Sequence, residues 1–287
     1  MATSFINIGV VYAGKGDFEN ALVQFQKGLE IRTRVFGSDH PDVANSYINI
    51  GEVYRKQGKY EEALELYTKS LDIKTRIYGG DNHPDVAASF NNIGNVYLAK
   101  CDLENALVQH QKALEIKTRV FGSDHPDVAA SYTNIGVVYN RQGQYERALE
   151  YYQKGLEINI KVCGQDHPDV ASSYSNIAVV NGRQGKYEEA FHLLEKSLDM
   201  RIKLVGFNHP DVVNSYVNLA WISIKQGNES KCQAHLLRAF ETGFLWRELS
   251  FLETEDDFSA VRSAAWFQDL LQNAKKEESK VHSLRNA

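Results

Sequence analysis

The chain of 287 residues is poor in proline, cysteine and methionine, with 5, 3 and 2 of them. Average usage of about 5% would give roughly fourteen prolines, so the few present should mark particular places. Three cysteines, Cys101, Cys163 and Cys232, cannot make a paired disulfide framework, and their spacing matches no zinc pattern. A reducing compartment is the simplest reading, and a cytoplasmic location is the expectation. No base precedes Lys15, so no secretory signal with a positive leading region is expected. No run approaches the ~20 apolar residues of a membrane helix, and no membrane partner is expected. Positive charge is not in excess either. Against 32 Lys and Arg stand 37 Asp and Glu, a formal −5, which argues against a nucleic-acid coat.

All five prolines lie in one string, His-Pro-Asp-Val, at Pro41, Pro84, Pro126, Pro168 and Pro210. The steps are 43, 42, 42 and 42 residues, the mark of a repeat array. Units start near residues 1, 40, 83, 125, 167 and 209. The first lacks its opening turn: Ser4-Phe5-Ile6-Asn7-Ile8-Gly9 aligns with Ser46-Tyr47-Ile48-Asn49-Ile50-Gly51, so the chain opens inside a repeat.

Each unit reads as two helices. Val43, Tyr47, Ile50 and Tyr54 step along one face of a 3.6-residue period, and Tyr60, Ala63, Leu64, Tyr67 and Leu71 do so in the second helix. A glycine follows the first helix at Gly16, Gly58, Gly143, Gly185 and Gly227, where a turn wants positive φ. The residue before each repeated His is Asp or Asn (Asp39, Asn82, Asp124, Asp166, Asn208), which reads as the cap of the first helix. Small residues, Gly9, Gly51, Gly94, Gly136, Ala178 and Ala220, recur on the first helix, with rows of large aromatics at fixed offsets, as close helix crossings require.

The aromatic-x-Asn-Ile-Gly-x-x-Tyr string, the turn glycine and Tyr-Glu-x-Ala-Leu resemble the tetratricopeptide repeat. The 42-residue period, with Gly-x-Asp-His-Pro-Asp-Val-Ala, resembles its long form in kinesin light chains and nephrocystin-3-like proteins. The resemblance covers about residues 1–244. It implies an all-α fold, a right-handed superhelical solenoid of helix-turn-helix repeats. Departures are Cys101 for the turn glycine, Asn181 for a row tyrosine and Glu229 for the tyrosine that opens the second helix. Residues 245–274 lose the period and read as short helices capping the last apolar face, with a disordered tail over 275–287.

Chemistry is hard to place on such a pattern. The repeated histidines cannot share a metal, because equivalent helices pack ~8–10 Å apart while zinc ligands lie ~2 Å from the ion. No metal or cofactor is expected. Catalysis needs an asymmetric set of nucleophile, base and oxyanion donors, whereas these polar residues recur almost unchanged, so no catalytic residue is assigned. His110 stands where Tyr67 and Tyr152 stand and reads as packing; Cys163, at an aromatic position, reads as a buried thiol. The tyrosine rows read as core and not as a stacking platform for nucleic acid.

By the resemblance, first helices line a concave face. Two rows lie on them. One is an asparagine ladder, with Asn49, Asn92, Asn134, Asn176 and Asn218 as candidates. Its amides can clamp an extended peptide backbone, or brace neighbouring helices. The other is basic: Lys56, Arg141, Arg183 and Lys225, with Arg55 beside the first. Bases gathered on a concave face favour an acidic partner, and bases at helix ends also complement the dipole. The resemblance implies short cargo peptides in which an aromatic is flanked by acids. The expected function is a non-enzymatic adaptor that takes an extended, acidic segment of another protein. The alternative is a scaffold that assembles through its ends or convex face. Oligomeric state stays open.

Overall fold

The computed structural model describes residues 1–245, 249–254 and 256–286, with the backbone alone at 250 and 281–286. Among these residues the fold is all-α. The chain divides into two compact units, Met1–Gln144 and Tyr145–Ala287. The first holds α1 (Ala2–Lys15), α2 (Phe18–Phe36), α3 (Pro41–Lys56), α4 (Tyr60–Ile77), α5 (Pro84–Ala99), α6 (Leu103–Phe121) and α7 (Pro126–Arg141). The second holds α8 (Tyr145–Cys163), α9 (Pro168–Arg183), α10 (Tyr187–Val205), α11 (Pro210–Lys225) and α12 (Glu229–Glu241). It continues with α13 (Leu249–Thr254), a 3₁₀ turn (Asp256–Phe258), α14 (Ser259–Arg262) and α15 (Ala265–Asn286). The division falls in a turn within the repeats and not near residue 244, where the change from array to cap is expected.

Proline opens α3, α5, α7, α9 and α11 at the first helical position, where its missing N–H costs nothing. The cap differs from the sequence expectation. The residue immediately before proline is the N-cap, and it is the histidine. In each of these helices the His Nδ1 accepts the backbone N–H of the Asp two residues on, at 3.1–3.2 Å. In three of the five an aromatic ring from the end of the preceding helix stacks on the imidazole: Phe36 on His40, Tyr78 on His83 and Phe121 on His125, at 4.3, 3.4 and 4.3 Å. The expected cap residues bridge to a later helix instead: Asp39 pairs with Arg76 at 2.8 Å, Asn82 accepts from Arg119, and Asp166 pairs with Lys203 at 2.9 Å.

Within a pair, the helices cross where a small residue meets a large one sixteen positions later. A Cβ on Gly9 would lie 2.6 Å from the Phe25 ring, one on Gly51 3.1 Å from Tyr67, and one on Gly94 2.8 Å from His110. In the second unit the small residue is alanine and the large one shrinks to leucine. Ala178 with Leu194, and Ala220 with Leu236, are fully buried in one cluster. The sum of the two volumes is thus roughly conserved, as dense packing demands. Between pairs, Ile50 and Val53 of α3 enter the cluster of α1 and α2. The equivalent Ile8 and Val11 of α1 are exposed at 45% and 58%.

One row of bases escaped the sequence reading. Arg32, Lys74, Lys117 and Arg201 leave the second helix of a pair toward the start of the next. Arg201 donates to Asp211 O at 3.2 Å and Ser215 Oγ at 2.7 Å, and Arg32 makes the equivalent bonds to Asp42 O and Ser46 Oγ. Lys117 reaches Asp127 O at 3.4 Å, and Asn159 replaces the base in the remaining unit. Burial pushes the Lys74 and Arg201 cations down from their ordinary values, so these charges are held for position and at a desolvation cost.

Cys101 takes the turn-glycine conformation, with φ 60°. It is exposed; Cys163 is half-buried, less sheltered than expected; Cys232 is buried, which pushes its thiol up to about 12. In the terminal segment, Leu249, Leu252, Phe258, Val261 and Phe267 join the cluster of α11 and α12. Trp246, Arg247 and Glu248 of the expected cap, and Glu255, lie outside the described residues. Over the segment read as a tail, α15 extends to Asn286. Lys275, Lys276, Glu277 and Glu278 are strong helix formers, and Lys275 is tied to Glu253 at 2.5 Å.

His110 is fully buried, its Nδ1 lies 3.0 Å from Asn91 Oδ1, and burial lowers it to about 4. The unfolded imidazole titrates near 6.5, so below that pH the unfolded state binds the extra proton and stability falls as pH drops toward 4, by about 3 kcal/mol. Gly94→Ala should cost about 1–3 kcal/mol through the ring contact. His110→Leu, the pairing used in the second unit, should recover most of that cost and remove the acid slope. Urea unfolding at pH 7 and pH 4.5 checks both effects.

Candidate functional site

Two clefts open on first helices. The first, of about 400 Å³, lies in the first unit and is lined by Glu52 and Arg55 of α3, Tyr67 of α4, Asn92, Asn95, Leu98 and Ala99 of α5, and Arg141 of α7. Their common face follows from the 3.6-residue period: Asn92, Asn95 and Ala99 step by three and four.

Arg55 does not stand there as an open cation. It grips Glu52 with both ends of its fork, Nε to Oε2 at 2.8 Å and Nη2 to Oε1 at 2.7 Å, and Tyr67 Oη donates to the same carboxylate at 3.0 Å. Lys56 Nζ lies 4.0 Å from it. The Arg55 hydrogen bond holds the Glu52 carboxyl below the usual range, and Arg55 is raised in turn. Tyr67 is raised chiefly by burial and then by the neighbouring carboxylate. At the α3 end of the row, Glu52 therefore answers Arg55 and lies at the edge of ion-pair distance from Lys56. Arg141 is different. It donates to Leu98 O at 3.1 Å, the exposed carbonyl end of α5, and no carboxylate lies within ion-pair distance of it among the described residues.

The second cleft, of about 270 Å³, lies in the second unit. Ser175 and Asn176 of α9, Arg201 of α10, Asn214, Val217 and Asn218 of α11 and Phe251 of α13 line it. Two rungs of the asparagine ladder meet here. Arg183, at the end of α9, is exposed, and no carboxylate pairs with it among the described residues. Lys225, at the end of α11, pairs with Asp257.

Of the ladder, Asn92, Asn176 and Asn218 line clefts, while Asn134 donates to Asn91 Oδ1 at 2.7 Å and braces the preceding pair. Asn49 is half-buried on α3 and lines neither cleft. Glu52, Asn95 and Asn214 were missed because they do not recur in every repeat, and periodicity was the signal in use. Asp257 lies outside the repeats, where no period could point to it. Among the described residues, no group of three His, Cys, Asp or Glu is placed to hold a metal ion, and no helix is long and apolar enough to cross a membrane.

The paired helices and their first-helix clefts define a repeat scaffold for interaction. The tetratricopeptide repeat model matches over residues 1–76, 49–117, 85–161, 127–203 and 169–242, and the chain belongs to that family. Among solved structures, BtubC (BKLC) from P. vanneervenii is 20% identical, with a TM-score of 0.67 over 78% of this chain and 90% of that one. A kinesin-light-chain-type protein of Podosopora anserina with nearly identical TPR-like repeats is 24% identical, with a TM-score of 0.58 over 71% of this chain and 96% of that one. A Rap protein complexed with Competence and Sporulation Factor is 17% identical, with a TM-score of 0.69 over 96% of this chain and 75% of that one. At these identities the likeness is one of fold. No curated protein matches the chain.

The two classes of base separate by experiment. Arg201→Ala should cost about 2 kcal/mol, because it removes charge-assisted bonds to buried groups. Arg183→Glu should change stability by less than about 0.5 kcal/mol. Urea midpoints of the two variants check this.

Proposed function

We propose that the chain is a non-enzymatic adaptor that captures an extended, acidic peptide segment of a partner protein on its first-helix face. The observation that carries this reading is the state of two bases. Arg141 and Arg183 keep cationic charge that no neighbouring carboxylate among the described residues neutralises, while Arg55 and Lys56 share Glu52. Arg141 has one fork nitrogen on Leu98 O, which leaves further donors for a carboxylate. Asn92 beside it, and Asn176 and Asn218 in the second unit, offer the paired donor and acceptor that a peptide backbone needs. An extended chain advances ~3.3 Å per residue and repeats step by ~10 Å, so about three ligand residues meet each repeat. That a Rap protein of similar fold was solved with Competence and Sporulation Factor bound lends support at the level of the fold.

A second reading, a scaffold that associates through its ends, has one observation in its favour. Ile8 and Val11 are exposed where their counterparts in the other repeats are buried. The charged rows favour the first reading, since an end-to-end contact makes no use of them.

The test uses fluorescent ten-residue peptides, one set rich in Asp and Glu around an aromatic, the other with every acid replaced by its amide. The acidic set should bind, more weakly as salt rises. Arg141→Glu combined with Arg183→Glu should lower its affinity at least about tenfold, with the circular dichroism spectrum unchanged. Equal binding by variant and wild type would overturn the reading.

A further inference from the structure

The last helix pair already holds a carboxylate on its basic row. Asp257, in the 3₁₀ turn, pairs with Lys225 Nζ through Oδ1 and accepts the Trp221 indole N–H through Oδ2. Lys225 is the sixth-repeat counterpart of Arg141 and Arg183. Trp221 stands where α3 has Glu52, α5 has Asn95, and α7 and α9 have Val137 and Val179, so the last repeat places an indole N–H donor where the two repeats before it have none. The Asp257 side chain is only 21% exposed, so the contact is partly shielded from water. Six residues earlier on the same segment, the Phe251 ring enters the cleft of Asn176, Asn214 and Asn218. One short stretch of the chain therefore sets an acid on the basic row and an aromatic beside the asparagine row, within one unit.

The segment is anchored mainly by residues other than Asp257. Leu252 and Phe258 are fully buried in the core, Phe251 packs edge-on to Phe258 at 5.9 Å, and Lys275 of α15 holds Glu253. Asp257 is thus the part of the segment that can leave its place while the cap stays attached. Core packing accounts for Leu252 and Phe258 but supplies no reason for an acid to sit against Lys225 and Trp221.

We propose that Phe251 and Asp257 are an internal occupant of the partner-binding face, taking at α11 the place of the acidic, aromatic segment of another protein. The inference rests on the acidic-peptide reading above. A tethered segment acts at a high effective concentration, so an external peptide reaches the α11 position only in the fraction of molecules where Asp257 has left it. The device would reserve this end of the face for partners able to displace the cap.

The probe is the segment itself: a fluorescein-labelled peptide with the sequence of residues 249–258, titrated into the full chain and read by anisotropy. Asp257→Asn combined with Phe251→Ala should bind it at least about tenfold more tightly than wild type, and adding Lys225→Glu should abolish the gain. Asp257→Asn alone, the milder change, should give part of the gain and serves if the double variant unfolds. If these variants bind no better than wild type while Arg141→Glu with Arg183→Glu still weakens acidic peptides, the internal occupant is overturned and the adaptor reading stands. If no acidic peptide binds wild type or any variant, both fall.

Discussion

In each helix pair one crossing sets the geometry, where a residue with little or no side chain lies under a large one. Gly9 takes the Phe25 ring, Gly51 takes Tyr67 and Gly94 takes His110. Where the second unit uses alanine, the partner is leucine. Because the backbones come this close, the two faces of the pair have different uses. The inner face is spent on the crossing, and the first helix turns its remaining polar face toward the clefts. The asparagine and basic rows hold their positions because the glycine row, on the same helix, holds its own.

Stacking the pairs needs a second device, and it is polar. Each His-Pro-Asp start is capped by its own histidine, and a base from the preceding pair donates to the carbonyl of that Asp in several repeats. Buried cations are costly, as the lowered Lys74 and Arg201 indicate. A charge-assisted bond to a carbonyl has a definite direction, which apolar contact lacks, and so ties one pair to a given register on the next. His110 is an exception of another kind. It is an imidazole in a tyrosine position, kept neutral by burial, and it ties the stability of the first unit to acid pH.

Charge on the first helices is organised by internal acids as much as by the bases. Glu52 answers Arg55 and Lys56, and Asp257 answers Lys225. Arg141 and Arg183 are the members of the row with no carboxylate within ion-pair distance among the described residues.

Local and periodic features were legible in the sequence by itself: the repeat, the helix pairs, the turn position held by Cys101, the small-against-large crossing and the candidate rows. They are legible because a helix repeats its environment every 3.6 residues and a repeat every 42, so the residue type at a position reports its surroundings. The cap was misplaced by one residue, since Asp and Asn are better known caps than a histidine backed by a ring. Only the tertiary structure decided which bases are answered. Glu52 next to Arg55, Asn134 on Asn91 and Asp257 on Lys225 are encounters of particular side chains, the last two between residues 43 and 32 positions apart. An ion pair depends on distances of a few ångströms in three dimensions, and no period along the chain encodes them.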